Sequence, residues 1–108
     1  MALPWPSWQA ARMPAYVIAF LRAVDLDAQP LEDYRDANTP LVERHGGRFT
    51  VRGGRIDHLE GNPPGRVVVI EFPDTAAARA WYDDPDYVAI RGLRQEVSDI
   101  DLVIVEGA

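Results

Sequence analysis

Cysteine and lysine are both absent from the 108 residues. Without cysteine there is no disulfide, no thiol nucleophile and no thiolate-bound metal, and one common mark of secretion is missing. A cytoplasmic location is the expectation. Without lysine, all 11 basic residues are arginine, against 17 Asp and Glu and a formal net charge of -6. The arginines are interleaved with carboxylates along the whole chain, which argues against the clustered positive surface a nucleic-acid partner requires. No apolar run approaches the ~18 residues of a membrane span, so neither nucleic acid nor membrane is an expected partner.

Hydroxyl nucleophiles are also scarce. Ser7 and Ser98 are the only serines, and neither has the context of a nucleophile elbow. His45 and His58, well separated, do not form a familiar zinc pattern. Gly46-Gly47 and Gly53-Gly54 lack the strand-to-helix setting of a phosphate or dinucleotide loop. No metal site and no cofactor is implied.

What is present fits one small globular domain. Residues 1–14 carry Pro4, Pro6 and Pro14 beside Trp5 and Trp8. Three prolines so close forbid a continuous helix or a central strand, so these residues read as an extended arm, either crossing onto a partner subunit or left untethered. They lack the charged start and apolar run of a signal peptide. Residues 15–108 read as a single domain.

Residues 15–23 are apolar at both parities and of strand length, the pattern of a buried first strand. Leu31, Tyr34, Asn38, Leu41 and His45 recur at helical spacing. Pro40 falls inside that stripe and predicts a kink near Asn38 or two abutting helical pieces, with Gly46 as the left-handed cap. The segment RFTVR, the Gly53-Gly54 pair and RIDHLE read as a hairpin with a two-residue loop. RVVVIEF is the strongest strand pattern and the expected central strand. Asp74 caps one short helix; Asp84-Pro85 caps and opens another. DLVIVE is the last strand.

With the two strand-like pieces around the Gly53-Gly54 turn counted as one long bent hairpin, the order is strand, helix, strand, strand, helix, strand, the split β-α-β-β-α-β plan of an α+β ferredoxin-like fold. An antiparallel sheet with helices on one face leaves its other face bare, and a second copy of the chain is the simplest cover. A symmetric homodimer is expected.

Several motifs occur in a specific order: His45-Gly46-Gly47-Arg48, Val51-Arg52-Gly53-Gly54, Leu59-Glu60-Gly61, the RVVVIEF strand, Ala80-Trp81-Tyr82, Pro85-Asp86-Tyr87 and the closing Val103-Ile104-Val105-Glu106-Gly107. Together they resemble the domain of unknown function 1330 family from about Ala15 to the C-terminus. The resemblance implies a dimeric α+β barrel, an architecture shared with small antibiotic-biosynthesis monooxygenases, muconolactone-isomerase-like proteins and heme-degrading relatives. Two features depart from the family pattern: the Trp- and Pro-rich arm, and His45, where the family often has Tyr. A base role for His45 would therefore not be general to the family.

Candidate chemistry rests on few residues. His45, at the end of the first helix, is a general base or anion contact, or else a capping residue bonded to turn carbonyls, the commoner role of a last-turn cation. Glu71, in an apolar strand, is either a proton-transfer group facing a cavity or one half of an ion pair with Arg52, Arg66, Arg91 or Arg94. Tyr16, Tyr34, Trp81 and Tyr87 are core aromatics that could also wall a pocket for a flat organic ligand. In that pocket Arg52 and Arg94, or Arg91, would grip an anionic group. The functional expectation is a cofactor-independent small-molecule enzyme that moves a proton on a planar carbonyl or phenolic compound, with His45 or Glu71 as acid or base. The alternative is a non-catalytic, ligand-binding or stress-associated dimer.

Overall fold

The computed structural model describes residues 13–22 and 27–108; the arm reading of residues 1–14 falls almost entirely outside them. The elements are β1 (Ala15–Leu21), α1 (Gln29–Arg44), β2 (Arg48–Arg52), β3 (Arg66–Phe72), α2 (Thr75–Asp83), α3 (Pro85–Gln95) and β4 (Ile100–Glu106). The strands form one sheet in the order β2-β3-β1-β4 with every neighbouring pair antiparallel. This is the ferredoxin-like α+β plan, with its second helix split in two.

Sequence chemistry accounts for most boundaries. Pro30 occupies the first turn of α1, where its missing N–H costs nothing. At the other end Gly46, at φ +77°, donates to the Glu43 carbonyl while the Gly47 N–H reaches back to the Val42 carbonyl, the paired bonds of a left-handed helix stop. Gly47 is required for a different reason: a Cβ there would lie 2.6 Å from the Phe72 ring. Asp74 accepts from the Ala77 N–H and opens α2, and Asp84 accepts from the Asp86 N–H and opens α3 behind Pro85.

Of the two readings at Pro40, a kink or two abutting pieces, the second does not hold: α1 runs unbroken through Pro40. Both Pro40 and Asp36, whose carbonyl loses its partner, are exposed, so water can reach the freed carbonyl and the usual cost of an interior proline is reduced. The two-residue hairpin at Gly53-Gly54 does not form either. Gly53 has φ +71°, but its N–H bonds to the Val67 carbonyl and β2 pairs with β3. Residues 53–65 form an exposed connection, with Leu59 87% exposed. The valine-rich β3 buries far more apolar surface against the helices than RIDHLE could, and it takes the position beside β2.

The helices cover one face of the sheet. Ala15, Val17, Ala19 and Leu21 point toward them from β1, with Ile70 and Phe72 from β3. Trp81 and Tyr87 are fully buried with ring centroids 4.3 Å apart, and the Trp81 indole N–H donates to Asn38 Oδ1 at 2.9 Å in the interior. The opposite parity of β1, expected to be buried as well, is only half-buried: Tyr16, Ile18 and Phe20 lie on the bare face with Val51, Val103 and Val105, each over 40% exposed in the case of the valines.

Candidate functional site

A cavity of about 500 Å³ lies between the helix-covered face of the sheet and α1. Its floor is apolar, from Val17 and Ala19 on β1, Val68 and Ile70 on β3, and Leu102 on β4. Ala19 stands where a larger side chain would fill the space, so the volume is partly written into β1 as a small residue.

Arg94 of α3 contributes the most unusual group. Its side chain lines the cavity and the residue is 4% exposed. Its Nε donates to the Tyr87 hydroxyl at 3.3 Å, and its guanidinium carbon is 5.8 Å from the Tyr34 ring centre. Among the described residues its partners are these tyrosines, and no carboxylate is paired with it. Burial opposes the charge, but the tyrosine oxygens more than offset that effect and the group stays protonated. The Tyr34 and Tyr87 hydroxyls lie 2.8 Å apart. Burial first, then the Tyr87 hydroxyl, pushes the Tyr34 phenol well above its ordinary value, so it remains neutral.

Arg52 enters from the far edge of the sheet because of a backbone irregularity. Arg48 lies opposite Glu71 and Phe49 opposite Ile70, but Val51 then faces Val69 and Arg52 faces Val68. Thr50 is the extra residue of a bulge, and it reverses the alternation beyond it. Without the bulge, Arg52 would point away from the helices. With it, Arg52 lines the cavity, stacks 4.0 Å over the Phe49 ring and donates to the Thr39 hydroxyl at 2.8 Å.

Of the expected site residues, Tyr34, Arg52, Trp81 and Arg94 line one cavity. Tyr87 sits directly behind its wall. Tyr16 is elsewhere, opposite Glu71 on the bare face, to which its hydroxyl donates at 3.2 Å; that bond raises the Tyr16 pKa. Glu71 also accepts from Arg48 Nε at 2.8 Å. Its ion-pair partner is thus Arg48 rather than any of the four arginines expected, because Arg48 is its direct cross-strand neighbour while Arg52, Arg66, Arg91 and Arg94 belong to the helix side. Arg91 stacks on Tyr82 at 4.1 Å and donates to the Tyr82 carbonyl, outside the cavity.

His45 is likewise away from the cavity. Its Nε2 is 2.7 Å from Asp84 Oδ2, which also accepts from Arg44 at 3.1 Å. His45 is therefore bonded to a carboxylate rather than to turn carbonyls, tying the end of α1 to the α2–α3 corner. The bond to His45, followed by the Asp86 N–H, holds the Asp84 carboxyl below its ordinary value. Exposed His58 lies in the connection rather than in an edge hairpin.

Arg35 and Arg66 line the cavity and were not foreseen. Arg66 pairs with inward-facing Leu21, so its placement could have been read from the parity of Val68 and Ile70. Arg35 is one turn before Thr39 and one turn after Leu31 on α1, a spacing visible in the sequence. Among the described residues, no three imidazole or carboxylate side chains gather as a metal ion would need, and no helix is long and apolar enough to cross a membrane.

No curated protein matches the sequence. Solved structures resemble it. A protein of unknown function from Rhodopseudomonas palustris superposes with a TM-score of 0.69 at 22% identity, over 94% of this chain and 90% of that one. A dimeric ferredoxin-like protein of unknown function from Thermobifida fusca gives 0.52 at 19% identity, over 88% and 92%. SnoaB, a cofactor-independent oxygenase from Streptomyces nogalater, gives 0.56 at 13% identity, over 90% and 95%. At these identities the likeness is one of fold. The family model for the domain of unknown function DUF1330 matches residues 14–108, nearly the whole described chain, and the protein belongs to that family.

Proposed function

We propose that the cavity binds a planar carbonyl or phenolic compound as its anion (carboxylate, enolate or phenolate), with the negative oxygen against Arg94. The observation that carries this reading is the buried Arg94 guanidinium, without a carboxylate partner among the described residues, beside a cavity with an apolar floor. The present partners of this charge are tyrosine oxygens, and a bound anion would add the counter-charge they do not supply. Tyr34 and Trp81 offer aromatic walls, and Tyr34 remains a neutral hydroxyl able to donate to the same oxygen.

The cavity would act as a cofactor-independent enzyme by stabilising the deprotonated form of its substrate. A fixed buried cation lowers the pKa of an enol or phenol bound against it, so transfer of its proton to water is favoured. The fold-level likeness to a cofactor-independent oxygenase supports this class of chemistry by analogy. A non-catalytic binding protein is the second reading, favoured by the positions of His45 and Glu71 outside the cavity. Calorimetric titration with planar acids and phenols tests binding; Arg94→Met should weaken it by about 10–100-fold, the worth of a charged hydrogen bond. Equal affinity in that variant defeats the anion reading. Protein-dependent deuterium uptake at the acidic position of a bound ligand, followed by NMR, separates enzyme from binder.

The bare sheet face supports a homodimer. Ile18, Phe20, Val69, Val103 and Val105 form an apolar field around the internally compensated Tyr16, Glu71 and Arg48 cluster. Two of the structural relatives are described as dimeric ferredoxin-like proteins. Sedimentation should report twice the chain mass, and Val103→Asp with Ile18→Asp should shift it to one.

A further inference from the structure

We infer that the ligand is a dianion, held at one end by Arg94 and at the other by Arg52 and Arg66. This rests on the anion-binding reading of Arg94 and adds a second anionic group to the ligand. Arg52 stands on β2, one edge of the sheet, while Arg94 meets the cavity beside Ile100 and Leu102 of β4, the other edge. Four strands spaced about 4.8 Å apart put these edges on the order of 14 Å from each other, so the guanidinium groups approach the cavity from opposite sides and would bracket a ligand between them. The floor between them is apolar.

The mouth is built for positive charge rather than being merely a surface where arginines happen to fall. Two backbone features place them: the Thr50 bulge turns Arg52 inward, and Gly53 makes room for Arg66, whose Nε would lie 3.1 Å from a Cβ at that position. The carboxylates that line the cavity, Glu32 and Asp36, are both on α1 and serve Arg35: Glu32 is bonded to it, and Asp36 acts on it electrostatically. The hydrogen bonds of Arg52 go instead to neutral oxygens, the Thr39 hydroxyl and the Arg35 carbonyl. Burial and then the nearby charges of Arg66 and Arg52 lower the Arg35 pKa, which agrees with three guanidinium groups sharing one space. A carboxylate entering that space would relieve their repulsion and accept bidentate bonds.

The test is calorimetric titration of the full chain with terephthalate and with the longer biphenyl dicarboxylate, each beside its monomethyl ester. At least one diacid should bind about tenfold more tightly than its ester, a preference that should shrink as salt is raised. Arg52→Met and Arg66→Met should each reduce that preference, weakening the diacid more than its ester. Arg52→Lys, which keeps the charge, should retain most of it. Arg94→Met should weaken diacid and ester alike. Equal binding of both diacids and their esters by the unaltered protein, or a preference that survives both mouth substitutions, overturns the dianion while leaving the Arg94 reading standing. Ester affinity indifferent to Arg94→Met overturns the Arg94 reading and this one with it. Thermal melts of each variant confirm that loss of binding is not loss of fold.

Discussion

The two faces of the sheet treat charge in opposite ways. On the bare face, Glu71 sits among valines and isoleucine but accepts from both Arg48 and Tyr16, so the charge is answered within the protein. On the helix face, Arg94 is far more deeply buried and, among the described residues, its side chain meets tyrosines and no paired carboxylate. A charge with its partners in place holds a structure together. One that folding leaves uncompensated beside an open cavity has its complement outside the chain. On the proposed reading, Glu71 belongs to the architecture and Arg94 to the ligand.

That contrast can be broken most directly at Arg94. Arg94→Met should cost about 10–100-fold in anion affinity, while changing the stability of the ligand-free protein by no more than about 1 kcal/mol in urea denaturation, since one hydrogen bond to the Tyr87 hydroxyl is lost and an apolar side chain fills its place. A loss well beyond that would mean that Arg94 is structural after all. Ala19→Phe should fill the cavity floor and remove ligand binding while changing stability by no more than about 1–3 kcal/mol; unaltered binding would move the ligand elsewhere.

The His45, Asp84 and Arg44 cluster lies on neither face and sharpens the comparison as a control. Asp84→Ala removes a helix cap and two ionic partners, and should lower the melting temperature by several degrees without touching ligand affinity. Because the folded-state pKa of Asp84 lies below its ordinary value of 3.8, its contribution is present above that value and disappears as pH falls through the folded one. Stability measured from pH 6 downward should fall less steeply in Asp84→Asn than in the parent chain. The smallest effect is expected at Glu71→Gln: its partner Arg48 is 74% exposed, so the loss should stay within about 1 kcal/mol and ligand affinity should not change.

Much of the fold is legible locally. Gly46, Asp74 and the Asp84-Pro85 pair mark helix ends because each satisfies an orphan backbone group within a few residues. RVVVIEF reads as an interior strand because its run of β-branched residues has the strongest strand preference in the chain. The hairpin reading failed where two segments competed for one sheet position, a contest decided by burial against distant helices. At the site, Tyr34 follows from the helical stripe of α1. Arg52 was named without its reason, since a bulge at Thr50 has no glycine or proline to announce it.

The sequence alone therefore determined the order of elements, the family and the aromatic core, all of which depend on periodicity, capping and composition. Tertiary structure decided which charges are answered. Pairing Glu71 with Arg48 requires the register of β2 on β3, and isolating Arg94 requires knowing every group that folding brings within reach of it. Electrostatic compensation is a property of distances in space, and those are set by packing between segments far apart in the chain.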